Sequence, residues 1–567
     1  LIMTIVDKFL EVVKEQGTRT ALAFLVDDEY KHISYRKLDK YRRRLARFWR
    51  DNGLNQGDKV AVMLNNSPEW IISDLAASTL GAVIVPIHTT YNSDYITRII
   101  EHSEAKFLVI AREYFDKHKF FIKRLNLSKI IIIGVSQDIA GDNIIAWPIL
   151  DMNGLPEVEA AVLSADSTHT IIYTSGTTGD PKGVMLSHKN LMSNVESARR
   201  SVPIFPSDRF FSFLPLSHAF ERTAGYYSPI ITGSSIYFAR SAKTMIDDIK
   251  KAKPTVLSSV PRIFDKIYGK VFDKAEAGSY WRKILFFKGL RLAVLRRKNA
   301  LNFWQKIYWI ILDFLVLKKL RAIFGGHLRL AISGGASLDV KIIRFFDNLG
   351  INMIEGYGMT ETSPIIAVNR PGNVRFGTVG HALDCNQIKI SEDKEILVKG
   401  DNVMQGYHKN EALTKEMIDK DGRLHTGDLG FMDKEGFLTV IGRAKDVIVL
   451  STGKNIFPEP IENVLNESRY INQSMVYGDR QKHLSALIVP NFEQLKIWCK
   501  EQGVNYNIQD EKVREFYAYK ITEKLKRLAN VEQIKDFKLL SEEFSQENGF
   551  LTPTLKLKRH KILAKYI

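Results

Sequence analysis

The stretch Tyr173-Thr174-Ser175-Gly176-Thr177-Thr178-Gly179-Asp180-Pro181-Lys182-Gly183 sets hydroxyls, glycines and one lysine directly behind an apolar run, Thr170-Ile171-Ile172-Tyr173. Glycines let backbone N–H groups turn toward a ligand, hydroxyls add donors, and a lysine brings a mobile point charge. Those are the needs of a bound polyphosphate. A flexible surface turn is the bland alternative; it does not account for so many donors directly after a buried strand. Nor is this a Walker loop, because Pro181 stands where that motif needs its second glycine.

Other residues could share such chemistry. Ser333-Gly334-Gly335-Ala336-Ser337 is small enough for backbone to approach a flat ring. In Gly356-Tyr357-Gly358-Met359-Thr360-Glu361-Thr362, Tyr357 offers a stacking face, Thr360 a hydroxyl and Glu361 a hard oxygen ligand for magnesium. Read alone, each string is an ordinary turn, as is Thr426-Gly427-Asp428. His218, in Pro215-Leu216-Ser217-His218-Ala219-Phe220-Glu221-Arg222, is by itself more often a packed residue than a functional one.

The loop after Tyr173 resembles, almost letter for letter, the phosphate loop of the adenylate-forming superfamily: acyl-CoA synthetases, luciferases and peptide-synthetase adenylation domains. The segments around His218 and Pro261–Tyr268 resemble those of long-chain fatty acid–CoA ligases. The resemblance covers essentially the whole chain, in motif order. It implies ATP-dependent activation of a fatty acid through an acyl-adenylate, then transfer to coenzyme A. Thr174, Ser175, Gly176, Thr177, Thr178, Gly179 and Lys182 would hold the phosphates, and Gly335 and Ala336 would lie against adenine. Tyr357, Gly358, Met359 and Thr360 would complete the nucleotide site, and Asp428 would take the ribose. Arg443 would reach ribose or phosphate, Lys445 would be the interdomain hinge, and Gly453 would line the pantetheine path. His218 would sit beside the acyl carboxylate. Mg²⁺ would touch Glu361 and Thr174, and Lys182, Glu361 and Lys556 would be catalytic. Leu551–Arg559 departs from the commoner Ser-Gly-Lys form of the last motif, which leaves Lys558 as the competing lysine. Val449 stands where many relatives carry a lysine, so no nucleotide contact is assigned there.

The elements that must position these residues follow from periodicity. Val60–Leu64, Val83–Val85, Phe107–Ile110 and Ile130–Ile133 read as strands alternating with helical patterns, hence layered α/β units with a mainly parallel sheet. The stretch 370–442 is glycine-rich and reads as β. The remainder alternates strands and helices as a small α+β unit. The expected domains are 1–444, with 370–442 as a β-rich subdomain and 277–327 as a basic insertion, and a mobile cap over 445–567; this two-part arrangement is what the resemblance implies.

Over 567 residues, 81 basic against 64 acidic side chains give a net charge of +17, which favours anionic partners. Two lone cysteines, Cys385 and Cys499, make neither a disulfide framework nor a zinc site, so a reducing cytoplasm is expected. The first residues lack a signal peptide's basic start, and no uninterrupted apolar run is long enough to span a bilayer. From Ala277 to Leu312 there is no acid, and seven basic residues lie between Arg282 and Lys298, mixed with Trp281, Phe286 and Phe287. Trp281, Ile284, Leu285, Leu292 and Leu295 share a helical face that Lys288 interrupts. This stretch reads either as helices packed on the body with a solvated basic face, or as a peripheral contact with anionic membrane at its inner face. Nothing points to nucleic acid, and oligomeric state is silent. The rival functions are a fatty acyl-AMP ligase loading a carrier protein, a medium-chain or aryl acid–CoA ligase, a luciferase-like oxygenase, and a non-enzymatic basic binding protein. The last explains the charge but not five ordered nucleotide motifs.

Overall fold

The computed structural model describes residues 3–135, 143–147, 157–175, 181–241, 244–297, 299–552 and 556–567. They form two compact units: Leu1–Ile388, Val398–His425 and Asp433–Leu438 in the first, Lys389–Leu397, Thr426–Met432 and Thr439–Ile567 in the second.

The first unit is built on two large sheets. The eight-stranded one runs in the order Gly406–Tyr407, Pro181–Ser187, Thr168–Ser175, Val83–Pro86, Lys59–Met63, Ala105–Ala111, Lys129–Ile133, Ile144–Ala146. From Thr168–Ser175 onward its pairings are parallel. Parallel strands covered on both faces must be apolar throughout, and Val60–Met63 and Val83–Pro86 are buried at every position. The connecting helices carry their own start and stop signals. Pro68–Leu80 is capped by Ser67, has Pro68 in its first turn, and ends at Gly81 with φ of 69°. The expected α/β alternation is therefore present here. The nine-stranded sheet has a parallel centre, Ser235–Phe238, Arg209–Ser212, Val256–Ser259, Leu330–Ser333 and Asn352–Gly358, and antiparallel strands toward both edges. Its strand ends carry the segments near His218, Gly335 and Glu361.

The stretch 261–322 is helical: Pro261–Glu276, Tyr280–Arg297, Phe303–Leu312, a π-turn Asp313–Leu317, and Lys318–Ala322. The buried stripe of Tyr280–Arg297 is Phe286, Gly289, Leu292 and Ala293, whereas Trp281 is 71% exposed. Of the face expected through Trp281 and Leu295, Leu292 packs, Ile284, Leu285 and Leu295 are half-buried, and Trp281 lies in solvent.

The second unit centres on a three-stranded sheet, Ile471–Tyr477, Leu484–Pro490 and Ile534–Leu539. Helices Pro458–Asn466, Phe492–Gln502 and Glu511–Leu525 bury Ile461, Leu465, Leu495, Tyr517 and Ile521.

Candidate active site

The phosphate-loop motif is the mouth of an antiparallel hairpin, not merely a strand entering a loop. Thr168–Ser175 pairs with Pro181–Ser187, Thr174 opposite Lys182 and Ser175 opposite Pro181. Directly opposed residues project to the same face, so the Thr174 hydroxyl and Lys182 ammonium share one side. Gly176, Thr177, Thr178 and Gly179 lie outside the described residues, as does the side chain of Ser175. Gly183 has a steric duty: a Cβ would come within 2.8 Å of Ile171 and 3.1 Å of the Tyr173 ring. Tyr173 in turn hydrogen-bonds through its hydroxyl to His102 Nδ1 at 2.8 Å, and the Thr174 carbonyl accepts from the Tyr95 hydroxyl. A cleft of about 620 Å³ flanks the hairpin, lined by Arg98, His102, Lys182, Gly183, Tyr407 and His408 among others.

A buried polar network anchors the base of this hairpin. Arg222 donates to Thr170 Oγ1 at 2.7 Å and pairs with Asp74, and Tyr226 and Tyr227 donate to the other oxygen of Asp74 at 2.9 and 3.3 Å. Burial alone would raise the Asp74 carboxyl; Arg222 and His169 hold it well below the usual carboxylate range. The network ties the strand carrying Thr174 to helix Pro68–Leu80 and to the π-helix Glu221–Tyr227. Thr170 and Arg222 lie in motif segments, but Asp74, His169, Tyr226 and Tyr227 are scattered single residues that no motif marks.

His218 precedes that π-helix. Burial pushes its pKa down to about 4, so it is neutral at pH 7, and its Nε2 has no hydrogen-bond partner in the protein. An N–H at that atom could meet a carboxylate without adding a charge. His88, absent from the sequence motifs, lies 5.1 Å away between ring centroids, with its own Nε2 unpartnered and its pKa lowered to about 3 by burial. Glu221 is also buried, accepts from the Ser212 hydroxyl at 2.7 Å, and has its pKa raised well above the ordinary value by burial.

Gly335 has φ of 89°, in the left-handed region, and a Cβ on Gly334 would meet the Phe220 ring at 3.0 Å. Ala336 is exposed beside them. Tyr357 and Gly358 finish strand Asn352–Gly358, and a Cβ on Gly358 would collide with the Pro364 carbonyl. Met359 follows, and Thr360, Glu361 and Thr362 form a 3₁₀ turn. Glu361 is buried, and its Oε1 accepts from the Tyr407 hydroxyl at 2.8 Å. Tyr407 is paired next to the hairpin, opposite Val184. No signal in the sequence singles it out.

In the second unit, Asp428 lies on strand Leu424–Met432 and pairs with Arg443 Nε at 3.2 Å. Lys445 is exposed in the 3₁₀ turn Ala444–Asp446. Gly453, with φ of 78°, turns the chain between Ile448–Val449 and Asn455–Ile456. Lys556 joins the Asp428 group. The residue is exposed as a whole, yet burial around its ammonium, then the Arg443 guanidinium, lower its pKa, and Asp428, Glu459 and Asp446 pull it back. Only burial and Lys561 act on Lys558, which precedes the final helix.

One carboxylate, Glu361, beside a hydroxyl-bearing hairpin suits a magnesium ion that arrives on nucleotide phosphates and keeps several waters. Among the described residues no group of three or more His, Cys, Asp or Glu could form an all-protein metal cage.

The AMP-binding enzyme family matches residues 9–408, and its C-terminal domain matches 445–534. The chain belongs to the AMP-binding enzyme family. A long-chain-fatty-acid–CoA ligase of Mycobacterium bovis, FadD15, is 33% identical over 544 residues, covering 91% of this chain and 87% of that protein. The Arabidopsis thaliana long-chain-fatty-acid–[acyl-carrier-protein] ligase AEE15 is 28% identical, covering 98% of this chain and 84% of its own length. Among solved structures, the anthranilate CoA ligase AuaEII with anthranoyl-AMP superposes with a TM-score of 0.77 at 20% identity, covering 100% of this chain and 97% of that one. That likeness establishes the AMP-binding fold for this member, a mixed α/β body followed by a smaller C-terminal part.

Proposed function

We propose that this chain is an AMP-forming long-chain fatty acid–CoA ligase. Its carboxylic substrate attacks the α-phosphorus of ATP, giving acyl-adenylate and pyrophosphate; the thiol of coenzyme A then attacks the mixed anhydride and AMP leaves. The observation that carries the proposal is the hairpin mouth, Thr174 beside Lys182, in a member of the AMP-binding family similar along most of its length to long-chain ligases.

The residues take the following parts. Lys182 and the hydroxyls of Thr174, Ser175, Thr177 and Thr178, with Gly176 and Gly179, hold the phosphates. Gly335 and Ala336 lie on adenine with Tyr357, Gly358, Met359 and Thr360, and Asp428 takes the ribose, releasing Arg443 toward ribose or phosphate. Neutral His218 donates to the fatty carboxylate, so the nucleophile is oriented but not neutralised. Mg²⁺, held by Glu361 and Thr174, supplies charge neutralisation at the phosphates when bound. Lys556, rather than Lys558, stabilises the charge that develops between carboxylate and α-phosphate. Lys445 is the hinge whose rotation withdraws Lys556 after adenylation, and Gly453 then lines the pantetheine path. The enzyme works in the cytoplasm, with peripheral contact to membrane through 277–312.

An AMP-release assay over a panel of acyl chain lengths, with and without coenzyme A, tests this. Turnover should need coenzyme A and peak at long chains. The similarity to AEE15 favours one second reading, transfer to an acyl-carrier protein; multiple turnover with carrier protein but not with coenzyme A would establish it instead.

A further inference from the structure

Twelve of the 25 large apolar side chains found exposed among the described residues crowd into 36 positions, from Tyr280 to Leu315. Helix Phe303–Leu312 is the extreme case. Trp304 is 76% exposed, Phe303 68% and Ile310 61%, and Leu312 is its one buried residue. At 100° per residue Trp304, Tyr308 and Ile311 form one stripe, with Ile307 at its edge, while Gln305, Trp309 and Leu312 turn inward. The helix is not a loose end. Asn302 and Gln305 close a capping box at its start, and Arg296 stacks on Trp309 at 3.9 Å. It is a fixed element that presents its apolar side to solvent, whereas helices such as Ile5–Gln16 and Val340–Asn348 bury theirs. Monomeric proteins rarely keep such a patch without a use.

We infer that helix Phe303–Leu312, with Phe314 and Leu315 of the following turn, inserts into the plane of a lipid surface as an apolar ridge. This deepens the membrane contact proposed above and rests on that proposal for its purpose, though not for its geometry. It also changes the source of affinity. The basic run looks like the driving charge in sequence, but Arg297 is engaged by Asp347 and Arg296 by Trp309. Lys298 lies outside the described residues. The exposed cations on the ridge are Lys306 and Lys318, the last 4.9 Å over the Phe314 ring, and Arg282 and Lys283 are exposed on the preceding helix. Asp313 is closed by two bonds from Arg321, and Asp347 is taken by Arg297. An apolar stripe with cationic stems at its rim and no open acid matches lipid, where lysines reach up to headgroups from an inserted helix. A protein partner would call for acids or specific polar pairings on this face. No described helix is long and apolar enough to cross a bilayer, so the contact is in-plane.

The test is co-sedimentation of the full chain with phosphatidylcholine vesicles and with vesicles carrying about 30% phosphatidylserine. The wild type should bind both, more tightly the anionic. Trp304→Asp with Ile311→Asp should lose roughly ten-fold or more on both kinds, since apolar burial sets the affinity. Arg282→Gln with Lys283→Gln should lose several-fold on anionic vesicles only. Both variants change exposed residues, so thermal unfolding should match the wild type. Activation of a short, soluble acid should also match it; if no acid of any length is activated, the enzymatic proposal fails while the vesicle result stands. A wild type that binds neither vesicle, or a ridge variant that binds as well as wild type, overturns insertion. So does a wild-type dimer that the ridge variant breaks without any vesicle binding, which would make a second copy the occupant.

Discussion

Truncating Arg559 to alanine should weaken the second unit and slow adenylation more than thioester formation. Arg559 lies three residues after Lys556 and grips Glu462 with both arms, at 2.8 and 2.6 Å. It also donates to the Val476 carbonyl at 3.3 Å and stands 3.9 Å from Asp446 in the turn that holds Lys445. Glu462 is 7% exposed and would keep one donor, the Val476 amide at 2.6 Å. Removing one partner from a fully buried pair costs about 3–5 kcal/mol; Arg559 is 19% exposed, so about 2–4 is expected. Among the described residues the turn bearing Lys556 is also held by Thr552 N to the Lys556 carbonyl at 2.8 Å, Lys556 N to Thr552 Oγ1 at 3.0 Å, and Lys558 N to the Phe550 carbonyl at 2.8 Å. With its anchor gone, Lys556 spends less time in place. We expect adenylation to fall about 10- to 100-fold in kcat with little change in KM for ATP, since a cation misplaced by an ångström forfeits much of its effect. Transfer from supplied acyl-adenylate to coenzyme A should change less than about three-fold. Urea unfolding gives the stability loss, and single-turnover AMP and thioester formation give the two half-reactions. Arg559→Lys should restore part of the stability and of the adenylation rate. Equal loss of both half-reactions, or wild-type adenylation despite the stability loss, would refute the claim that Arg559 positions Lys556.

Lys556→Ala should cut adenylation about 100-fold or more and spare thioester formation, with Lys558→Ala near wild type; the reverse pattern moves the catalytic lysine by two residues. Glu361→Ala should abolish pyrophosphate release while circular dichroism stays native, and unchanged release at saturating Mg-ATP would remove Glu361 from the site. Glu355 accepts from the Leu338 amide, and burial raises its pKa to about 7 from 4.5. Between those values the unfolded chain has lost a proton that the native chain keeps, so stability falls as pH rises, by roughly 3 kcal/mol in all. Glu355→Gln should flatten that fall and be the more stable protein at pH 8 in urea titrations; a parallel pH dependence in both proteins would place the proton elsewhere.

How much of this was legible beforehand depended on whether the signal was local. The strands at Val60, Val83, Phe107 and Ile130 announce themselves because parallel strands buried on both faces must be apolar at each position. The phosphate motif was legible as residue types, but not as a hairpin: antiparallel closure depends on Gly183 sitting under Tyr173, a contact across the pair. Tyr407 on Glu361, His88 beside His218, and Asp74 under Arg222 are single residues drawn together from distant positions, which no period or spacing encodes. The proposal of Lys556 over Lys558 also exceeds the string, because it rests on Arg443 and Asp428 acting on the Lys556 ammonium while only burial and Lys561 act on Lys558.

The basic insertion shows the same limit from the other side. Its charges are obvious in sequence and its packing face is not: the buried stripe of Tyr280–Arg297 is Phe286, Gly289, Leu292 and Ala293. That packing turns Trp281 and Phe287 outward with Trp304 and Ile311, and it leaves Arg296 and Arg297 occupied within the fold. Two cations of this stretch, Arg296 and Arg297, are held within the fold while Trp281, Phe287, Trp304 and Ile311 stay in solvent, which is the pattern the inferred insertion uses. If the ridge inserts as inferred, the element that docks the enzyme also brings it to the phase in which a fatty acid dissolves.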